Sequence, residues 1–336
     1  MMVAGRSRWA MAVLLGAFTA FAMWGSSASA EVEFKLKRSF GHDGGGLSEF
    51  SSATSVAVDR GEGTVYVLDR VADAIYKFDL EGNPVAFGGS SPDVSGNKLS
   101  VLPVEDTSGT RQIAVDPLSH TIYVPGEDPS GYGGKVLQAF KGNGDPAEFT
   151  ALPGSSNEIS GFHGLRDIAV DGNGAIYTAE FGDSEEPNGN RKIFSASGAV
   201  LVPNPGPSSG PSGMALAPNG ALYLVRNLDK IGRYTPSEYP VTASTTYSQP
   251  ADISSKPAHA IALDPVLRRL YAFERYEEAG SPITRVEVMD EEGNPEGFFG
   301  GPEEDGELGN LDVEEAGVAV TVINEVTRAF VVRTPE

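Results

Sequence analysis

One pattern recurs along this chain: an alanine between aliphatic residues, followed 8 to 11 positions later by an aromatic residue between aliphatics. It occurs at Ala57 with Tyr66, Ala114 with Tyr123, Ala169 with Tyr177, Ala215 with Tyr223, Ala262 with Tyr271 and Ala319 with Phe330. The alanines stand 57, 55, 46, 47 and 57 residues apart, so the chain is built from six copies of one unit with loops of variable length.

The clearest copy runs from Thr54 to Gly88. Its four short runs, Val56 to Val58, Val65 to Leu68, Ile75 to Phe78 and Val85 to Phe87, are rich in Val, Ile, Tyr and Phe, and turn residues separate them. That composition predicts a four-stranded antiparallel meander, too small to bury its own faces and obliged to stack on its copies. Asp59, Asp116, Asp171 and Asp264 follow the alanine strand directly, and Gly61, Gly63, Pro117, Gly172, Gly174, Pro218, Gly220 and Pro265 suit tight hairpins. The Asp-x-x-Gly-Asn stretches at Asp79 to Asn83 and Asp290 to Asn294 read as hairpin turns, because their spacing does not fit a twelve-residue calcium loop.

A small residue at the same place in every copy makes sense if the first strands converge on one axis, with the flanking aliphatics in the layers between sheets. The expected fold is all-β: a six-bladed β-propeller of four-stranded antiparallel blades starting near residues 54, 111, 166, 212, 259 and 316. The sixth copy runs out at Glu336 after its second strand. The alternating segment Glu31 to Phe40, ending Ser39-Phe40-Gly41 like Phe87-Gly88 and Phe299-Gly300, is expected to close that last blade as its outer strand, leaving it one strand short.

Arg6 and Arg8, the apolar run Ala10 to Met23 and the small-x-small sequence Ala28-Ser29-Ala30 read as a secretory signal peptide over residues 1–30. Residues 31–336 are then the mature, extracytoplasmic domain, with no further apolar run of membrane-spanning length. The chain holds 25 basic and 46 acidic residues; without Arg6 and Arg8 this becomes 23 against 46, a formal charge of −23. Such a surface repels nucleic acid and anionic membranes. There is no cysteine, which excludes disulfide stapling and leaves sheet packing to hold the fold.

The succession Ile-Ala-Val-Asp, then an Ile-Tyr-Val type strand, then an aliphatic-aromatic strand and a closing Phe-Gly resembles the NHL-repeat family of six-bladed propellers. The likeness covers Glu31 to Glu336; the fourth copy departs from it, with Ala217 where the Asp belongs, and the sixth is truncated. It implies a fold more firmly than an activity, because similar propellers include protein-binding and ligand-binding scaffolds as well as lactonases and lyases.

In such a ring the loops leading into first strands and those leaving second strands share one face. That face gathers His163, Arg166 and His259 from the leading loops and Glu180, Arg226 and Glu274 from the leaving ones, and these six are the candidate ligand-binding residues. Arg111, Asp167, Asp69, Asp73, Glu127, Asp128, Asp183, Asp229 and Arg275 lie around them, and Phe181 to Arg191 and Arg275 to Thr284 are read as long loop insertions. Glu180 and Glu274 with an Asp and a His suit a divalent cation such as Ca2+, although no His-x-x-x-His spacing is present. His163 or His259 beside a carboxylate suits acid–base chemistry, while no Gly-x-Ser-x-Gly elbow or phosphate loop occurs. On residues alone the balance favours a non-catalytic recognition module that binds a protein, a glycan or a cation through its acidic loop face, with Tyr132, Phe181 and Tyr276 as anchors. The competing expectation is an exported hydrolase or lyase, lactonase-like or amidating-lyase-like, with a metal at the channel mouth.

Overall fold

The structure, a computed structural model, describes residues 50–103, 112–127, 135–154, 156–162, 164–180, 191–202, 211–226, 230–248, 250–254, 256–278, 280–300, 316–323 and 326–333. Among these residues there is no helix, and every sheet is antiparallel. The first sheet holds β1 (Ala53–Asp59), β2 (Thr64–Asp69), β3 (Ala74–Asp79), β4 (Val94–Ser95) and β5 (Lys98–Ser100), in spatial order β1-β2-β3-β5-β4. The second holds β6 (Ala114–Val115), β7 (Ile122–Glu127), β8 (Lys135–Phe140) and β9 (Glu158–Phe162), and the third β10 (Leu165–Val170), β11 (Ile176–Glu180), β12 (Arg191–Phe194) and β13 (Val200–Val202). The fourth holds β14 (Pro211–Leu216), β15 (Leu222–Arg226), β16 (Lys230–Tyr234) and β17 (Ala251–Ser254). The fifth holds β18 (Ala258–Asp264), β19 (Arg269–Glu278), β20 (Ser281–Asp290) and β21 (Pro295–Phe299). The last sheet pairs β22 (Ala316–Ile323) with β23 (Val326–Arg333).

These sheets are the blades of a β-propeller. The first strands β1, β6, β10, β14, β18 and β22 pack side by side in that order, and β22 returns to β1. Each neighbouring pair of sheets encloses one hydrophobic cluster. Tyr66, Leu99, Ile113 and Val124 share the layer between the first and second sheets; Ala319 and Phe330 share the layer that joins the last sheet to Val56, Val65 and Tyr76 of the first. A single core is thus replaced by wedge-shaped layers arranged around a hub.

The register explains the recurring motif. Every alanine sits directly opposite its aromatic partner: Ala57↔Tyr66, Ala114↔Tyr123, Ala169↔Tyr177, Ala215↔Tyr223, Ala262↔Tyr271 and Ala319↔Phe330. The five tyrosines are buried, none more than 2% exposed. Each alanine faces the layer shared with the following blade, and not the axis as the sequence suggested; Val56 and Val58 face the preceding layer. A blade stands with both faces against its neighbours, so alternate residues serve alternate layers, and a methyl is all that fits beside a tyrosine ring where inner strands are close. Gly213 shows how close: a Cβ there would lie 3.1 Å from the Ala260 Cα and 3.1 Å from the Ile261 nitrogen of the next inner strand.

The aspartates after the inner strands cap their hairpins. Asp59 Oδ1 accepts the amides of Gly61 and Glu62, Asp171 Oδ1 those of Asn173 and Ala175, and Asp264 Oδ1 those of Val266 and Leu267. Asp59 also reaches the next blade, its Oδ2 lying 2.8 Å from His120 Nδ1. Asp79 and Asp290 each accept amides within their own turns and the side-chain amide of Asn83 or Asn294, which gives those stretches a complete role as turns.

Several expectations need correction. Five sheets carry four strands or more and the sixth has two described strands, so six four-stranded blades are not what the described residues form. The outer edge of the first blade is made by β5 and β4, whereas Val85 to Phe87 is not a strand: after the tight turn at Asp79 its Phe87 side chain is buried beside Tyr66. The stretch from Arg275 to Thr284 is not a loop insertion, because β19 and β20 stay paired out to Glu278↔Ser281. The expected closing strand, residues 31–40, lies outside the described residues.

Replacing Ala57 with leucine forces four heavy atoms where one fits, opposite Tyr66. The expected loss is about 1–3 kcal/mol of unfolding free energy by urea titration; an unchanged midpoint would mean the layer has room to spare.

Candidate functional site

The ends of the strands on the loop face share a local geometry that the sequence does not advertise. In the first, third, fourth and fifth blades the outermost rung between the first two strands pairs the first residue of the inner strand with a charged residue of the second strand: Ala53↔Asp69, Leu165↔Glu180, Pro211↔Arg226 and Ala258↔Glu274; the first three end their strands, whereas β19 runs on past Glu274 to Glu278. In each of these blades the next residue of the inner strand is skipped by a register shift, and the skipped residues are Thr54, Arg166, Ser212 and His259. Such bulges re-aim a side chain and favour the neighbourhood of active sites. Five of the six candidate residues therefore occupy equivalent places in successive blades: Arg166 and His259 on bulges, Glu180, Arg226 and Glu274 on the adjoining rung. The sixth, His163, lies outside the described residues, as do Arg111, Asp128, Asp183, Asp229, Tyr132 and Phe181.

Equivalent places hold different partners. Asp69 is fully buried and is consumed by structure, accepting the backbone amides of Ser51, Ser52, Val71 and Ala72. Glu180, also buried, meets Lys192 Nζ at 3.0 Å, and that ammonium lies over the Phe162 ring. Arg226 pairs with Asp252, which also meets Lys230 at 3.6 Å. Gly232 makes room for this arginine, because a Cβ there would come within 2.8 Å of Arg226 Nε. Asp167, next to the bulge at Arg166, is fully buried; burial lowers the Arg166 guanidinium from its usual value against the pull of Asp167. His259 is half-buried, and burial together with the charge of Arg275 holds its imidazole below the usual histidine range.

The most developed cluster is in the fifth blade. Ala272, two residues before Glu274, belongs to the layer between the fourth and fifth blades, so Glu274 continues that face toward the loops. Across the strand, Glu274 pairs with Arg285 and Ala272 with Glu287, which brings Arg285 and Glu287 of β20 onto the same side. Arg285 Nη2 is 2.7 Å from Glu287 Oε2, and Lys256, on the connection from β17 to β18, reaches the same oxygen at 2.6 Å. Tyr276 and Phe298 lay their rings near the Arg285 guanidinium at 5.6 and 4.6 Å.

Two carboxyls share this corner and cannot both ionise cheaply. Burial first, then the hydrogen bond and charge of Glu287, push Glu274 up to about 8, against the opposing pull of Lys256 and Arg285. Burial also acts to raise Glu287, but hydrogen bonds from Glu274, Lys256 and Arg285 outweigh it and leave that carboxyl below its usual value. At neutral pH the corner therefore holds one neutral acid and one carboxylate.

The residues around Glu274 were missed, yet they left a trace. Between Ile283 and Met289 of β20, polar Thr284, Arg285 and Glu287 interrupt an otherwise apolar run. On an exposed sheet that alternation would mean a solvated face, but a third strand between two blades is covered on both sides. Tyr276, expected as an exposed anchor, is instead half-buried and placed over two cations.

A divalent cation finds a poor fit here. Among the described residues no three His, Asp or Glu side chains gather as metal ligands, and Glu180, Glu274 and Glu287 already face Lys192, Lys256 and Arg285. A shallow depression lined by Lys230, Asp252, Ile253 and Ser254 lies on the outer strands of the fourth blade, where Asp252 pairs with Arg226.

The fold and these strand-end residues define a β-propeller with a charged loop face. No family model matches the chain, so its likeness to NHL repeats rests on the motif residues alone. No curated protein sequence matches it either. Among solved structures it is similar to a gluconolactonase from Xanthomonas campestris, at 13% identity over 84% of each chain with a TM-score of 0.51. It is likewise similar to a luciferin-regenerating enzyme, at 11% identity over 82% of this chain and 81% of that one with a TM-score of 0.50. At such identities the likeness is one of fold.

Glu274 gives the stability a pH dependence of known sign. Between its ordinary value of 4.5 and about 8 the folded chain keeps a proton that the unfolded chain releases, so stability from this group falls as pH rises through that window. In Glu274→Gln the melting temperature is expected to fall less than in the parent between about pH 5.5 and about pH 8.5. Equal slopes would place the proton elsewhere.

Proposed function

We propose that the protein is an exported propeller hydrolase that cleaves a small carboxylic ester or lactone at its loop face, with Glu274 as the acid. The observation that supports this is the contrast between Asp69 and Glu274 on equivalent rungs: the first is used up by backbone amides, whereas the second is a buried, proton-bearing carboxyl with no turn to cap. Perturbed acids without a structural duty concentrate at functional sites. The gluconolactonase of like fold adds an analogy only. Export follows from the leader expected over residues 1–30.

The chemistry needs no metal among these residues. Glu287, ionised, takes a proton from water as the water oxygen bonds to the acyl carbon. The acyl–oxygen bond breaks, and the leaving oxygen receives the proton of Glu274. The proton on Glu287 then returns to Glu274 through their hydrogen bond. The Glu274 side chain has no exposed surface, so a substrate reaches it only when Lys256, 42% exposed, moves aside.

A binding module is the second reading, favoured by one observation: Glu180, Glu274 and Glu287 each lie within ion-pair distance of a cation, as a finished structural network would have them. A panel of carboxylic esters and lactones at neutral pH separates the two. Turnover that falls about 100-fold or more in Glu274→Gln, with the fold intact, supports the hydrolase. No turnover, with a ligand-dependent rise in melting temperature, favours the module.

The ring itself is proposed to have six blades, with residues 34–40 pairing along the outer edge of β23. Deleting residues 31–40 is then expected to lower the urea midpoint markedly, and a chain indifferent to the deletion would argue against that closure.

A further inference from the structure

The cations beside the acid pair are not placed evenly. Lys256 Nζ is 2.6 Å from Glu287 Oε2 but 3.9 Å from Glu274 Oε2. Arg285 likewise meets Glu287 Oε2 at 2.7 Å through Nη2 and Glu274 Oε2 only at 3.5 Å through Nε. Glu274 Oε1, meanwhile, is buried with no hydrogen-bond partner. Where two carboxyls share one proton, the negative charge settles on the one nearer the cations, because Coulomb energy falls with distance and the surroundings are shielded from water.

The other groups facing the corner do not upset this assignment. From β19 comes the Tyr276 ring, which lies near both cations, whereas Arg275 belongs to the opposite face of that strand and bears on His259. On β18, burial and Arg275 hold the His259 imidazole below the usual histidine range. From β20 come Arg285 and Glu287, and the fourth blade contributes apolar Val225, Ile231 and Ile253 to the layer.

The two cations also differ in how firmly they are held. Arg285 belongs to a strand and is 16% exposed, with aromatic rings beside it. Lys256 projects from a connection between blades and is 42% exposed, so it is the member of the cluster that a ligand or a movement of that connection can reach.

We infer that Lys256 is a positioning residue for the acid: by holding Glu287 as the anion it keeps the shared proton on Glu274 and sets how readily that proton is given up. This rests on the reading of Glu274 as the proton donor. Loss of the ammonium destabilises the doubly ionised pair more than the singly ionised one, so the last proton is held more tightly. An anionic ligand that drew Lys256 off Glu287 would act in the same direction, tying the acidity of the site to occupancy of the connection.

The test is a carboxyl NMR titration of mature protein carrying 13C-labelled glutamate, with the Glu274 signal assigned by its loss in Glu274→Gln. In the parent it is expected to titrate near 8. In Lys256→Met and Lys256→Gln it is expected to move up by about half a pH unit or more, and in Lys256→Arg to stay near the parent. If the neutral variants titrate with the parent, Lys256 only packs the connection and the inference is overturned. If Glu274 already titrates in the ordinary carboxylate range in the parent, the hydrolase reading falls as well.

Discussion

The structure depends on a single repeated contact, an alanine methyl beneath a tyrosine ring on the facing rung of the next strand. In a propeller each sheet is covered on both sides, and neighbouring sheets are closest at their inner strands. A large residue there would push blades apart; two small ones would leave a void that the outer strands could not close. Pairing one of the smallest side chains with one of the largest fills a thin wedge, and the same pair recurs from blade to blade.

The same geometry decides where charge can be tolerated. At one end of the strands the buried aspartates Asp59, Asp171 and Asp264 are answered by turn amides, so their burial serves the hairpins. At the other end Glu180 and Glu274 are buried beside side-chain cations that come from neighbouring strands or connections. Buried ion pairs of this kind contribute little net stability over apolar packing, since desolvation consumes most of the attraction. Their presence on the loop face sets that end of the strands apart from a fold that is otherwise filled by tyrosine, valine and isoleucine.

Much of the frame was legible in the sequence. The positions of β1, β2 and β3, the tyrosine strands of the other blades and the turn role of Asp79 and Asp290 all follow from periodicity and turn chemistry. The candidate site was legible in part: Glu180, Arg226 and Glu274 were named, and they occupy equivalent rungs of three successive blades. Their partners were not, because Lys256 sits 18 residues before Glu274 and Glu287 sits 13 after it, and only the pairing of β19 with β20 and the path of the connection into β18 bring them together. The outer edge of the first blade was misplaced for a similar reason. Phe87 has the composition of a strand residue, but its side chain is needed beside Tyr66, and the hydrogen-bonding edge it would have filled goes to Lys98–Ser100.

The sequence by itself determined the repeat, the β-strand content, the hairpin chemistry and the acidic charge, because each of these is set by residues close together along the chain. Tertiary structure decided which way the alanines face, which acids are consumed by turns, and which carboxyl of the pair keeps its proton. Those outcomes depend on distances of a few ångströms between strands from different parts of the chain, and on how much water the neighbouring blade excludes, neither of which local sequence specifies.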